Sequence, residues 1–270
     1  DEGGRIVTTW VTSVQPVAAM PMRRVLRAYA IEVKYEALRV WRMPSMSVPF
    51  LLLPAPMYLF FSVMLSAPAV AETPALANYL FSGWLVFAAM MPALFGAGCT
   101  LAIERDGGLL TLKRALPAPA GVWLIAKTLV AMMFTALAVT SVIAAALLTS
   151  TTTLSVGQLV IMAVVVVIGS IPFCALGLFI GAHVSGAAAP AVGNLVFLPM
   201  LWLSGMFFPL PGALERLVVL WPAFHLNQVS LGLAGVTEYS YLPPQWSVGA
   251  LVGVAVLFGG LAIRRLARKG

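Results

Sequence analysis

The sequence predicts an all-α integral membrane protein, and three observations carry that prediction. Only 9% of the 270 residues are charged and 61% are hydrophobic, whereas soluble domains carry about 25% charged residues. Apolar stretches long enough to cross a bilayer, about 20 residues each, recur six times. When six helices are threaded, the basic residues fall almost entirely on one side. A soluble protein with a very large core is the alternative, and a mean hydropathy of +0.99 leaves it little polar surface to face water.

Residues 1–21 are expected to form a flexible tail. Their start at Asp1 without a methionine points to a vector remnant or a truncated beginning. Met22–Met43 follows as an amphipathic helix. Met22, Leu26, Tyr29, Val33, Ala37, Val40 and Trp41 recur at spacings of three and four, the signature of one helical stripe. Arg23, Arg24, Arg27, Lys34 and Arg42 project elsewhere. Such a helix just before a span lies in the membrane interface, with Trp41 at headgroup level and the arginines toward anionic lipid. Glu32, Glu36 and Arg39 interrupt the pattern at the flank of the stripe. A solvated edge and a contact with another protein both account for them.

The six-span domain is expected over 44–263, with spans at about 47–65, 79–101, 122–148, 158–182, 187–210 and 245–263. Each must be helical in lipid, because every backbone N–H and C=O there needs an internal partner. Pro49, Pro54, Pro56, Pro92, Pro172 and Pro199 should kink or locally unwind them. Residues 264–270 form a basic tail. Fifteen of the sixteen basic residues lie before span one, around the connection of spans two and three, or after span six; Arg216 is the exception. The positive-inside rule then places both termini in the cytoplasm. The net charge of +7 is explained in the same way and does not call for nucleic acid.

Between spans five and six, Pro211–Pro244 carries two short apolar segments broken by Trp221-Pro222, Gly232 and Gly235. They are too short to cross and suggest an outer hairpin that dips into the bilayer and returns. An ordinary outer loop with interfacial helices is the alternative. No internal repeat supports an inverted-repeat transporter.

Chemistry is sparse. The expected span interiors hold no Asp, Glu, Lys or Arg, except that Lys127 sits at the cytoplasmic start of span three, where it can snorkel. His183 and His225 are isolated, and Cys99 and Cys174 lie within apolar runs with no metal or disulfide spacing. A proton- or sodium-coupled carrier usually keeps ionisable groups at depth, so it is disfavoured. A membrane-embedded lipid-modifying enzyme would have only Glu104/Asp106 or Glu215/His225/Glu238 to work with. "GVWLIAKT" (Gly121 to Thr128) lacks the second glycine of a phosphate loop. No catalytic, metal-binding or cofactor-binding residue is assigned.

One stretch stands apart: "LAIERDGGLLTLKRALPAPAGVW" (Leu101 to Trp123). It brings Glu104, Arg105, Asp106, Lys113 and Arg114 together beside Gly107 and Gly108. The glycines can end the incoming helix. "LLTLKRAL" can then form a short helix along the membrane with Leu110, Leu112 and Leu116 as its apolar members. The charges at its start offer a hydrogen-bonding handle to a soluble partner; a solvated cytoplasmic loop is the other reading.

Together, the helix at Met22–Met43, "ERDGGLLTLKRALPAPAGVWLIAK" and "LSGMFFPLPGALERLVVLWPAFHLNQ" resemble the membrane subunits of ATP-binding-cassette exporters, in the class of drug, polyketide, polysaccharide and nodulation-factor export permeases. The resemblance covers essentially the whole chain. It implies a permease that forms the translocation path as a dimer, with a second copy or a related chain. It also implies a separate cytoplasmic ATPase, two copies expected, that binds ATP and magnesium; no cofactor is bound by the permease itself. It implies residence in a bacterial cytoplasmic membrane. The interface helix maps to Arg23, Arg24, Arg27, Lys34, Glu36 and Trp41. The ATPase-coupling segment maps to Glu104, Arg105, Asp106, Gly107, Gly108, Lys113 and Arg114. The re-entrant hairpin and path map to Gly205, Phe208, Pro209, Glu215, Pro222 and His225. "SGAAAPAVGN", opening span five, offers small residues for close helix approach. Many Met and Phe residues in the spans fit a hydrophobic or amphipathic small-molecule, lipid or glycan substrate, although such residues are more often plain packing.

Overall fold

A computed structural model of the chain describes residues 21–65, 73–115, 119, 121–207, 217–236, 239 and 241–269. The expected tail, the flank of the outer hairpin with Phe208, Pro209 and Glu215, and also Leu116 and Glu238, lie outside the described residues. The described residues are helical, with no strand among them.

The chain opens with α1 (Met22–Trp41), then α2 (Pro44–Leu52) and α3 (Pro54–Tyr58). A π-helical turn, Leu59–Leu65, extends α3. Helix α4 (Pro74–Met91) passes through a second π-helical turn, Pro92–Gly96, into α5 (Ala97–Asp106). The first turn follows Pro54 and Pro56, and the second begins at Pro92. A proline cannot donate to the ladder behind it, so the helix loosens there instead of breaking.

A short helix α6 (Leu109–Ala115) leads to the long α7 (Val122–Thr149). Helix α8 (Val156–Ile168) begins at a capping box, with Gln158 N–H donating to Ser155 Oγ and Ser155 N–H to Gln158 Oε1. Gly169 and Ser170 separate it from α9 (Ile171–His183). Helices α10 (Ala189–Leu203) and α11 (Pro222–Leu233) precede α12 (Pro244–Lys269). Residues 264–269, set apart above as a tail, continue α12 as helix.

Five helical segments are long and apolar enough to cross a membrane among the described residues: Pro44–Ser62, Pro74–Asp106, Val122–Thr149, Val156–His183 and Pro244–Arg268. The fifth expected span, about 187–210, is represented by α10, an apolar helix of 15 residues. At 1.5 Å per residue it reaches roughly 22 Å, short of a hydrocarbon core of about 30 Å.

The core runs along Pro74–Asp106, the most buried of these segments. Close approach by glycine makes that possible. A Cβ on Gly98 of α5 would lie 2.6 Å from the carbonyl oxygen of Gly177 on α9. Backbones this close replace the hydrophobic drive that lipid cannot supply between helices. At the other end of α4, Trp84 packs on Phe207 with ring centroids 4.6 Å apart and on Phe61 at 5.8 Å. Tyr79 donates its hydroxyl hydrogen to the carbonyl of Gly205, which sits at φ +68.

Candidate coupling site

The charged interruption becomes two short helices separated by a glycine turn. Gly107 closes α5, its N–H donating to the Ile103 carbonyl at 2.9 Å, and the Gly108 N–H donates to the Arg105 carbonyl at 3.2 Å. Gly108 then adopts φ +73, a left-handed conformation that glycine takes without a Cβ penalty. The chain reverses into α6, and Leu110 is buried while Leu112 is 66% exposed. The two leucines stand two residues apart and so cannot share one helix face.

Glu104 points away from its neighbours Arg105 and Asp106. Glu104 is 2% exposed. Its Oε1 meets three cations: Arg39 of α1, Lys127 of α7 at 3.0 Å and Lys113 of α6 at 3.5 Å. Lys127, also 2% exposed, donates to Glu36 at 2.6 Å and to Thr100 Oγ1 at 3.0 Å. Lys113 donates to Glu32 at 2.6 Å. Arg39 lies 3.5 Å from Glu36 and donates to the Thr100 carbonyl at 3.4 Å. Three acids (Glu32, Glu36, Glu104) face three bases (Arg39, Lys113, Lys127), and the cluster is neutral.

This cluster corrects two expectations. Lys127 does not snorkel to the interface; its ammonium turns inward, because Glu36 and Glu104 offer it buried counter-charges. Glu36 is neither a solvated edge nor exposed to a partner, since it lies on the face of α1 that packs against α7. That same face holds Val40, which clusters with Phe50, Val130 and Phe134. Burial raises the Glu36 carboxyl pKa, but Lys127, Arg39 and Lys113 outweigh burial and hold it below the ordinary value.

Arg105 and Asp106 reach the other way. Arg105 donates to the carbonyls of Gly181 at 3.0 Å and Val184 at 2.7 Å, groups that the end of α9 leaves without helical partners. Asp106 accepts the Gly186 N–H at 2.7 Å and pairs with Arg105 at 3.0 Å. Arg114 donates to the Leu266 carbonyl of α12 at 2.8 Å. Of the charges expected to be held out to a soluble partner, Glu104 is buried, Arg105 and Lys113 are half-buried, and Asp106 and Arg114 stay exposed while bonding to groups of the chain. They tie α1, α5, α6, α7, α9 and α12 together at one end of the molecule.

The remaining residues singled out above fall into two groups. Arg23, Arg24, Arg27 and Lys34 are exposed on α1, and Trp41 is exposed with its ring 6.1 Å from Phe134. Pro222 starts α11. His225 is buried between α11 and α12, donating from Nε2 to the Val219 carbonyl at 2.8 Å and accepting at Nδ1 from Ser247 at 3.2 Å. Neither group joins the charged cluster.

Glu32, Arg39, Thr100 and Lys127 were not assigned to the site from sequence. Arg39 had a signal: Glu32, Glu36 and Arg39 break the apolar stripe at helical spacing, the mark of charges carried on a packed face. Among the described residues no group of His, Cys, Asp and Glu has the arrangement of a metal site.

Comparison with known proteins bears on this arrangement. The family model described as ABC-2 type transporter matches residues 27–239, from within α1 to the stretch between α11 and α12. The curated protein "Putative transport permease YvfS" of Bacillus subtilis (strain 168) is 23% identical over 180 residues, covering 66% of this chain and 73% of that protein.

Proposed function

Because the chain belongs to the ABC-2 type transporter family, we propose that it is the transmembrane permease subunit of an ATP-driven exporter. ATP would be hydrolysed on a separate cytoplasmic ATPase bearing the nucleotide and magnesium. Two permease chains would form the path, with six spans per chain, α10 supplying the core of the fifth and both termini in the cytoplasm of a bacterial cell. The outer hairpin around α11 would re-enter the bilayer.

The observation that carries this reading is Glu104. One carboxylate oxygen at the end of the second membrane segment gathers cations from the interface helix, the short helix α6 and the start of α7. Movement imposed on α6 by a partner would therefore reach α1, α5 and α7 together. Exposed Leu109 and Leu112 on α6 offer that partner an apolar foothold. Leu195, Leu198 and Trp202 of α10, with Leu52, Phe60 and Met64 of the first segment, are exposed apolar surface for the second permease chain and lipid. Such surface suits a hydrophobic or amphipathic substrate.

The test is purification in mild detergent from native membranes, with mass spectrometry of what co-elutes, followed by reconstitution. A stoichiometric ATP-binding-cassette ATPase and ATP-dependent loss of substrate from the donor side support the reading. A chain that elutes alone and transports without ATP defeats it.

A further inference from the structure

A cavity lies at the same end of the molecule, on the side of Arg105 and Arg114 away from the acid cluster. It measures about 380 Å³ and is lined by Arg105, Leu110, Thr111, Arg114, Ala182, His183, Arg265 and Leu266. Helices α5, α6, α9 and α12 all contribute. Asp106 neutralises part of Arg105, and Arg105 is otherwise occupied by the Gly181 and Val184 carbonyls. Arg114 spends one donor on Leu266. The Nε of Arg265 is buried and finds no acceptor among the described residues. Among the described residues, two guanidinium groups thus converge on the cavity without a carboxylate of their own. A buried guanidinium donor without an acceptor is costly, and its planar fork matches phosphate oxygens.

Beyond the cavity, apolar residues continue along the shafts of α9 and α12. On α9, Phe179 lies one turn from His183, with ring centroids 4.4 Å apart. On α12, Phe258 and Leu261 precede Arg265 at spacings that share one helix face. Phe179 and Phe258 meet at 5.2 Å, joining the two columns. Leu261 and Ile263 are exposed. The arrangement is cationic at the helix ends and apolar along the shafts.

We propose that this cavity binds a phosphate-bearing anion, and that its source is the headgroup of an anionic phospholipid, with an acyl chain along Phe179, Phe258 and Leu261. Basic pockets between membrane helices on the cytoplasmic side take such headgroups. A phosphate between Arg114 and Arg265 would tie α6 to α12 and brace the short helix from the side opposite Glu104. The inference rests on the cavity alone and does not need the exporter reading.

The experiment is native mass spectrometry of the full chain, titrated with phosphatidylglycerol, phosphatidylcholine or inorganic phosphate. Phosphatidylglycerol should be retained in preference to phosphatidylcholine. Each arginine removed should weaken it about fivefold, from the roughly 1 kcal/mol of attraction per basic residue near an anionic surface. Arg265→Gln and Arg114→Gln test this, Arg265→Lys keeps the charge if the glutamine variant folds poorly, and Arg268→Gln controls for general charge. Competition by inorganic phosphate in the wild type and not in Arg265→Gln would uphold the phosphate site and assign it to a soluble anion. Equal retention of both lipids without phosphate competition, or equal loss in Arg268→Gln, would overturn the proposal.

Discussion

Replacing Lys127 with Met tests the charged cluster most directly. Methionine keeps the apolar stem and removes the ammonium. Three acids then face two bases, and Glu36 loses its contact at 2.6 Å. Taking one partner from a buried ion pair costs about 3–5 kcal/mol, because the other is left uncompensated. At roughly 2–4 °C per kcal/mol for a chain of this size, the midpoint of thermal unfolding should fall by about 6–20 °C. Tryptophan fluorescence of the detergent-solubilised protein reads it.

The pH dependence has a definite sign. In the wild type, Glu36 sits below its ordinary 4.5. Its contribution is complete above that value and is lost only as pH falls through the depressed one. In the variant the same carboxyl is buried without its lysine, so its pKa rises. Relative to the wild type, the variant then gains stability between pH 7.5 and 5. Glu36→Gln in the Lys127→Met background restores two acids against two bases and should recover part of the loss. A deficit of the same size at both pH values, with no recovery in the double variant, would refute the neutral-cluster reasoning.

Other consequences are equally open to measurement. Glu104→Gln, or deletion of Gly107–Gly108, should leave membrane insertion intact while abolishing coupling of ATP hydrolysis to transport in reconstituted vesicles; normal substrate-stimulated transport would count against the coupling role. Gly98→Val should lower the unfolding midpoint by an amount corresponding to at least 1–3 kcal/mol of overpacking, since its first added carbon would already lie 2.6 Å from the Gly177 oxygen. Arg105→Ala should expose the end of α9, read as faster proteolysis near 184–188. Reporter fusions at either terminus should be cytoplasmic, and an outward terminus would overturn the six-span reading.

The membrane class and most helical segments were legible because lipid imposes a length and an apolar composition that a single sequence displays. Proline positions foretold the loosened turn at Pro92–Gly96. Span five was less legible. The apolar run continues beyond Leu203, but the helix ends at Ser204 and Gly205, where a positive φ is needed. The charged cluster was the least legible feature. Lys127 looked like a snorkelling residue when judged by its own span alone. Its partners lie 91 and 23 positions away, and only folding shows that they arrive at the same point. Counting the acids and bases that broke apolar stripes would have found equal numbers of each, without telling which pairs meet.

The balance of the cluster also has a mechanical meaning. A neutral group of six charges can travel through a low-dielectric region as one body with little change in solvation, since no net charge is moved. Pulling one member away leaves charge behind on both sides, and the energy rises steeply. The junction of α1, α5, α6 and α7 therefore behaves like a rivet, yielding to translation and resisting shear. A push delivered at Leu109–Ala115 would tilt the attached helices together before it could slide them past one another.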